Sequence, residues 1–447
     1  MNTTFNSRRI VAVAIGMVLM VISVRIYAQT PRTLGLEEAI EMSIKNSKQL
    51  KLSQTNVDLA TLNIRQIKQN QLPSLSVSGS YLRVNSPNIN LKLKQSGNDS
   101  TGNSGGAPLH VNQAMYAMAS ASLPLFSGFR FKYGLESARY LEEATRLDIA
   151  MDRDAVIQNT IAAYSNLYKA KKAVDLVAEN LKREQQRVTE FTNREKNGLL
   201  ARNDLMKAKL QESNVQLTLL DAENDLKLTT INVNLLLGLP ENTPVIADSL
   251  AFITLKDEGS VADWEETALT NRKDITANGI RQKAADVDIK VAKADLYPSV
   301  ALTAGYVALN IPGVAMIPNA MNVGLGFKYN ISSFWKTGAK IAEAKTFVYR
   351  LKTNEGLLLD RIHLEVNTAY YNYVLSKRKI DVYAKAVEQA DENYRITKNK
   401  YDNSLVTTTE LLDADVAQVQ SKINYESAKA DAIVAYKKLE QTAGTIN

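Results

Sequence analysis

Two carboxylates three residues apart, Glu410 and Asp413, are the most suggestive chemical pair in the chain. On a helix that spacing puts both on one face. The face continues as Ala417, Gln420 and Asn424, while Leu411 and Leu412 point elsewhere. Such a pair attracts cations, although two solvated helix charges give the same pattern. Little else could react. The 447 residues include two histidines, His110 and His363, and no cysteine. Thiolate metal sites and disulfides are therefore excluded, and a metal or nucleophilic centre has little to be built from. There is no Gly-x-Ser-x-Gly elbow and no phosphate-cradling glycine loop. The chain reads as a non-enzyme without metal or cofactor.

The elements that must carry the acidic pair are long helices. All ten prolines lie outside 125–239 and 319–447. Proline removes a donor and clashes with the preceding turn, so its exclusion from these stretches permits very long helices. Val174, Val177, Leu181, Val188 and Phe191 follow helical spacing. Leu219, Leu226 and Val233 form one seven-spaced stripe, and Leu210, Leu217, Leu228, Ile231 and Leu235 form a second on the same helix. Two stripes let a helix touch a neighbour on each side, as in a wall of helices. Each long region is interrupted once, at Asn197-Gly198 and at Asn403-Ser404, which predicts helix-hairpin tips. An arm over 130–196 would run about 100 Å, more than a compact core accommodates.

Between the helical regions the pattern changes to period two. Leu75, Val77 and Tyr81 alternate with Ser74, Ser76, Ser78 and Ser80; Val323, Leu325, Phe327, Tyr329 and Ile331 alternate with Asn322, Gly324, Gly326, Lys328 and Asn330. One apolar and one small-polar face suit lipid on one side and water on the other. Four such strands cannot close a barrel, and open edges are forbidden in lipid, so the chain must pool strands with copies of itself.

The chain also repeats. A shift of 225 superposes Asn46 on Asn271, Pro73 on Pro298 and Tyr81 on Tyr306; a shift of 206 superposes Tyr164 on Tyr370, Leu205 on Leu411 and Gly238 on Gly444. Two constant offsets over long stretches indicate one duplicated unit. They differ by 19 residues, a surplus that falls in the Ser/Gly/Asn-rich loop Gln95 to Ala107. Residues 1–28 read as an export signal, with Arg8 and Arg9 ahead of the apolar run Ile10 to Val24 and a small residue at Ala28. The formal charge of +7, less the three arginines of that leader, leaves about +4, too mild and too spread to indicate nucleic acid. The boundaries are then 1–28 signal, 29–240 first repeat with hairpin 73–127 and a tip near 198, 241–258 linker, and 259–447 second repeat with hairpin 298–332 and a tip near 404.

This layout resembles the TolC-like outer membrane efflux family over essentially the whole mature chain. The resemblance is carried by Leu72-Pro73-Ser74 and Tyr297-Pro298-Ser299 at the hairpin starts and by Leu123-Pro124-Leu125-Phe126-Ser127-Gly128 at the first hairpin's end. The tips Asn197 to Leu205 and Asn403 to Ala414 complete it. It implies a membrane α+β fold: a homotrimeric outer-membrane β-barrel, four strands per chain, continuous with a long periplasmic α-helical barrel. It implies a channel that passively conducts substrate from an inner-membrane transporter through a periplasmic adaptor (membrane fusion) protein, in contact with outer-membrane lipid. The alternative is a periplasmic coiled-coil scaffold without a pore, which would need no lipid-facing strands.

The resemblance also implies roles for residues. Glu410 and Asp413 match an acidic pair at the pore constriction, where three-fold symmetry would turn each into a ring favouring cations. Asp204 is the first-copy partner of Glu410, and Tyr401 matches a tyrosine near the closed entrance. Relatives lock that entrance with a basic residue where this chain has Val406, so the lock is either absent or moved to another base such as Arg202. Gly198, Leu199, Leu200, Ser404, Leu405 and Val406 at the tips are expected either to dock the adaptor or to pack inside their own hairpins.

Overall fold

The computed structural model describes residues 32–85, 111–248, 257, 259–312 and 315–446. The expected leader, the loop Gln95 to Ala107 and His110 lie outside them. Along the chain come β1 (Arg32–Leu34), α1 (Leu36–Asn46), α2 (Lys48–Gln69), β2 (Ser74–Arg83), β3 (Gln113–Ser127), α3 (Arg130–Lys196), α4 (Arg202–Leu237) and β4 (Val245–Ala247). Then follow α5 (Val261–Asn271), α6 (Lys273–Lys293), β5 (Ser299–Ile311), β6 (Ala315–Lys328), α7 (Ser333–Asp402) and α8 (Thr408–Thr442). Helices α3 and α7 hold 67 and 70 residues, each about 100 Å long. Proline sits where a strand begins (Pro73 and Pro298 just before β2 and β5), at a bulge of β3 (Pro124), or in an edge strand (Pro318 in β6).

Strands β2-β3-β5-β6 form one antiparallel sheet in that order. Its register sorts the side chains by chemistry. One face aligns Val77, Ala119, Tyr306 and Met321 on one rung and Leu123, Leu302 and Leu325 on another. The opposite face aligns Ser74, Ser122, Thr303 and Gly324, then Ser76, Ser120, Gly305 and Asn322. Gly305 leaves room for the Asn322 side chain, whose Oδ1 would lie 2.4 Å from a Cβ and would have to swing aside for one. Both edges, β2 and β6, lack a partner strand among the described residues. Among the described residues no helix is long and apolar enough to cross a membrane.

The helices share a core midway along α3. Leu34, Ala39, Tyr164, Leu167, Val233, Leu237, Val245 and Ile433 pack into one buried cluster. The segment after α4 is not a free tether. Its β4 pairs in parallel with β1, and the Tyr164 hydroxyl donates to the Leu34 carbonyl (2.7 Å) while accepting from the Asp248 amide (2.8 Å). Three-residue strands carry too little period to be read in sequence.

The same contacts recur in the two halves. Tyr370 donates to the Gly259 carbonyl (3.3 Å), and Tyr370 and Gly259 lie 206 and 225 residues beyond Tyr164 and Leu34. A Cβ on Gly238 would fall 2.8 Å from that of Asn46; one on Gly444 would fall 3.1 Å from Asn271. Residues matched by different offsets thus meet each other in each half.

Candidate functional site

The far ends of the helical hairpins gather most of the residues singled out in the sequence. Helix α3 ends on Gly198 with φ of 72°, and α7 ends on Ser404 with φ of 59°. At each end two backbone amides turn back onto the last carbonyls: Gly198 to Glu195 (2.9 Å) and Leu199 to Arg194 (2.8 Å), Ser404 to Tyr401 (2.9 Å) and Leu405 to Lys400 (2.8 Å). This left-handed closure satisfies carbonyls that a helix end leaves orphaned. Glycine adopts it freely; serine does so at a cost.

The next helices start differently. At α8 the Thr407 hydroxyl accepts from the Glu410 amide (3.3 Å) and the Glu410 carboxylate accepts from the Thr407 amide (3.2 Å), a reciprocal capping box. Helix α4 starts at Ala201, which offers no side-chain cap. Glu410 therefore has a structural task that spacing alone did not reveal. It remains exposed, as does Asp413, and Ala417 and Gln420 continue their face while Leu411 and Leu412 are buried. Asp204 is half-buried beside Lys207 (3.5 Å), and Lys207 also donates to Thr409 (3.2 Å). The base that links the two tips is thus Lys207; Arg202 is exposed.

Tyr401 is set between the hairpins, within reach of the Asp204 and Glu190 charges. Its ring stacks on Phe191 at 5.6 Å, in a cluster with Leu205 and Ala208, and its hydroxyl accepts from Thr408 (3.4 Å). Burial raises its phenol above the ordinary value. Of the tip side chains, Leu200 packs on this same cluster and Val406 is half-buried, whereas Leu199 and Leu405 are 77% and 73% exposed.

One feature escaped the sequence reading. Val177, Asn180, Glu184, Arg187 and Phe191 form the buried seam of α3; Val177 and Phe191 belong to the expected stripe, whose other members Val174, Leu181 and Val188 are half-buried beside it. Polar side chains occupy its middle because Asp415 on α8 meets them. Arg187 reaches Glu184 (2.6 Å), Asp415 (3.4 Å) and the Tyr394 hydroxyl (3.3 Å), and Arg183 reaches Asp415 (3.6 Å). Glu184 and Asp415 have no exposed side-chain surface. Burial first, and then its hydrogen bond with Asp415, push the Glu184 carboxyl up to about 8, against the pull of Arg187. Glu184 Oε2 has no hydrogen-bond partner among the described residues, which suits a carboxyl that keeps its proton. Acids at helical spacing inside an apolar seam were the available signal: Asp415 follows Leu411 and precedes Val419.

Among the described residues no group of His, Cys, Asp or Glu could hold a metal ion. The chain matches the family described as outer membrane efflux protein over residues 39–239 and 264–445. It is 22% identical over 413 residues to the outer membrane efflux protein BepC of Brucella suis biovar 1 (strain 1330), covering 92% of this chain and 85% of that one. The solved structure of CusC superposes with a TM-score of 0.74 at 18% identity, over 94% of this chain and 95% of that one. The Campylobacter jejuni CmeC outer membrane channel gives 0.73 at 17% identity, over 92% and 85%. At these identities the likeness to the solved structures is one of fold.

Proposed function

The chain belongs to the outer membrane efflux protein family, a family of transport channels rather than enzymes, and on that premise we propose that three copies assemble into one conduit. Each subunit contributes β2, β3, β5 and β6 to a barrel in the outer membrane and its long helices to a periplasmic tunnel. The observation that carries this reading is the two-faced sheet with both edges open: Leu75, Val77, Met321, Val323, Leu325 and Phe327 are exposed on one face, serine, threonine, asparagine and glycine line the half of the other nearest the helices, with Tyr116, Met118, Val307 and Leu309 farther along it, and among the described residues β2 and β6 have a strand on one side only. Only closure with further strands satisfies such edges in lipid. Exposed seams at steps of seven and eleven agree: Leu210, Leu217, Leu228 and Leu235 on α4, and Leu357, Leu364 and Tyr371 on α7, are exposed apolar surfaces among the described residues of one subunit.

In this reading residues 1–28 are a leader, 29–240 and 259–447 are copies of one unit, and 241–258 join them. An inner-membrane transporter hands substrate to the conduit through a periplasmic adaptor that docks on Leu199 and Leu405, with Gly198, Leu200, Ser404 and Val406 shaping the turns beneath. Glu410 and Asp413 form acidic rings at the constriction, and Asp204, Lys207 and Tyr401 hold the tips together around it.

The test is single-channel recording in planar bilayers. Because Glu410 caps α8, the informative variant is Glu410→Gln with Asp413→Asn, which removes charge and keeps hydrogen bonding. We expect cation preference and block by multivalent cations to fall. Unchanged selectivity would remove the rings, and a trimer that never conducts would remove the channel.

A further inference from the structure

At the foot of the sheet, where strands give way to helices, four cations surround a cavity of about 480 Å³. Its floor is the last rung of the polar face, on which Ser127, Ser299 and Lys328 lie side by side across β3, β5 and β6. Its walls include Arg130 at the start of α3 and Lys336 and Lys340 in the first turns of α7. One carboxylate answers them. Asp295 pairs with Arg130 and with Lys340 (2.7 Å), and is itself mostly buried. Lys328 and Lys336 are exposed and make no ion pair among the described residues. Two positive charges are thus left over beside serine hydroxyls, an arrangement suited to an oxyanion.

The register decides which side this cavity opens on. The rung of Ser127, Ser299 and Lys328 has the same parity as that of Ser74, Ser122 and Thr303, beyond the bulge that skips Leu125. The apolar side of the same foot is occupied by Phe126, whose ring meets Phe129 edge-on (5.1 Å), and Phe129 in turn meets Tyr297 (6.1 Å). An anion reaching the cavity therefore comes from the aqueous side, as a solute, and not from lipid.

We propose that this cavity is an anion-binding collar inside the conduit, where Lys328 and Lys336 transiently hold a phosphate or carboxylate group of a passing solute. The inference rests on the channel reading, which turns the polar face inward and repeats the cavity in each subunit. Exposed lysines hold an anion weakly, because water and salt screen them over about 8 Å. Weak holding is what a duct requires, since a solute must also leave. A solute entering past the acidic tips would thus meet a basic zone before the membrane.

The absence of cysteine allows a clean test, because any introduced thiol is unique. Ser332 lines the cavity and its side chain does not cap α7, so Ser332→Cys spares the helix start; Ser299→Cys serves if that variant fails to fold. Ser76→Cys, higher on the polar face, is the reference. Cells are treated from outside with membrane-impermeant methanethiosulfonates, one anionic and one cationic. We expect the anionic reagent to be favoured at Ser332→Cys about ten-fold more than at Ser76→Cys. Lys328→Gln with Lys336→Gln should abolish that preference, and millimolar pyrophosphate should slow labelling only while the lysines are present. Equal preference at both positions, insensitivity to the lysines, or a silent Ser332→Cys beside a reactive Ser76→Cys overturns the collar alone. Silence at both positions removes the conduit and the collar with it.

Discussion

The tip between α3 and α4 and the tip between α7 and α8 follow one backbone path and are held by different means. The first turns on glycine and starts its second helix without a side-chain cap. The second turns on serine, at a cost, and recovers stability from the Thr407–Glu410 box. Two solutions to one turn show that each tip needs only adequate stability of its own. The hairpins are joined by the Tyr401–Phe191 stack, by Lys207 on Thr409 and by the buried ionic cluster between α3 and α8.

That view is broken or sharpened by experiments on detergent-solubilised protein. The largest effect is expected of Asp415→Ala, which leaves the buried Arg187 with Glu184 as its one carboxylate and removes the reach of Arg183 to α8; about 3–5 kcal/mol of stability should be lost in thermal unfolding followed by circular dichroism. A loss below about 1 kcal/mol would show that the cluster joins nothing. Next comes pH. The Glu184 carboxyl lies at about 8 in the folded chain against an ordinary 4.5. Between those values the folded form keeps a proton that the unfolded form has released. Stability should therefore be fullest below about 4.5 and fall as pH rises towards 8, by up to about 1.4 kcal/mol per unit from this group. Glu184→Gln should flatten that slope, and a slope that persists would assign it elsewhere.

Smaller effects test the tips themselves. Ala201→Ser lies three residues before Asp204 and should create at α4 the box that α8 has, raising stability by about 1 kcal/mol; Thr407→Ala should lower it by a similar amount. Smallest, Ser404→Gly should stabilise by about 0.5–1 kcal/mol in chemical denaturation by relieving the left-handed serine. Destabilisation there would mean that the serine does something beyond closing the turn.

Much of the architecture was legible in the sequence. The absence of proline from 125–239 and 319–447 foretold α3, α4, α7 and α8, and the alternation of Ser74 to Tyr81 and of Met321 to Lys328 foretold two-faced strands, whereas Tyr329 to Ile331, expected to continue the second, lie beyond the end of β6. The rest depends on distant partners. Periodicity assigns charges to the solvent side and so gives no cause to bury Glu184, Arg187 and Asp415; their burial follows from the packing of α8 against α3. The choice of Lys207 over Arg202 depends on the reach to Thr409, which no local pattern encodes. The basic cavity draws Arg130, Asp295, Lys328 and Lys340 from four separate segments.

The uninterrupted length of α3 has a mechanical consequence. From Tyr164 in the central core to Lys196 at the tip the helix runs 32 residues, about 48 Å. It has no proline within it to act as a hinge, so rotation at the core reaches the tip undiminished. A tilt of about 5° there sweeps the end through about 4 Å, roughly the width of a small side chain. Small rotations at the core are thereby amplified into larger displacements of the tip.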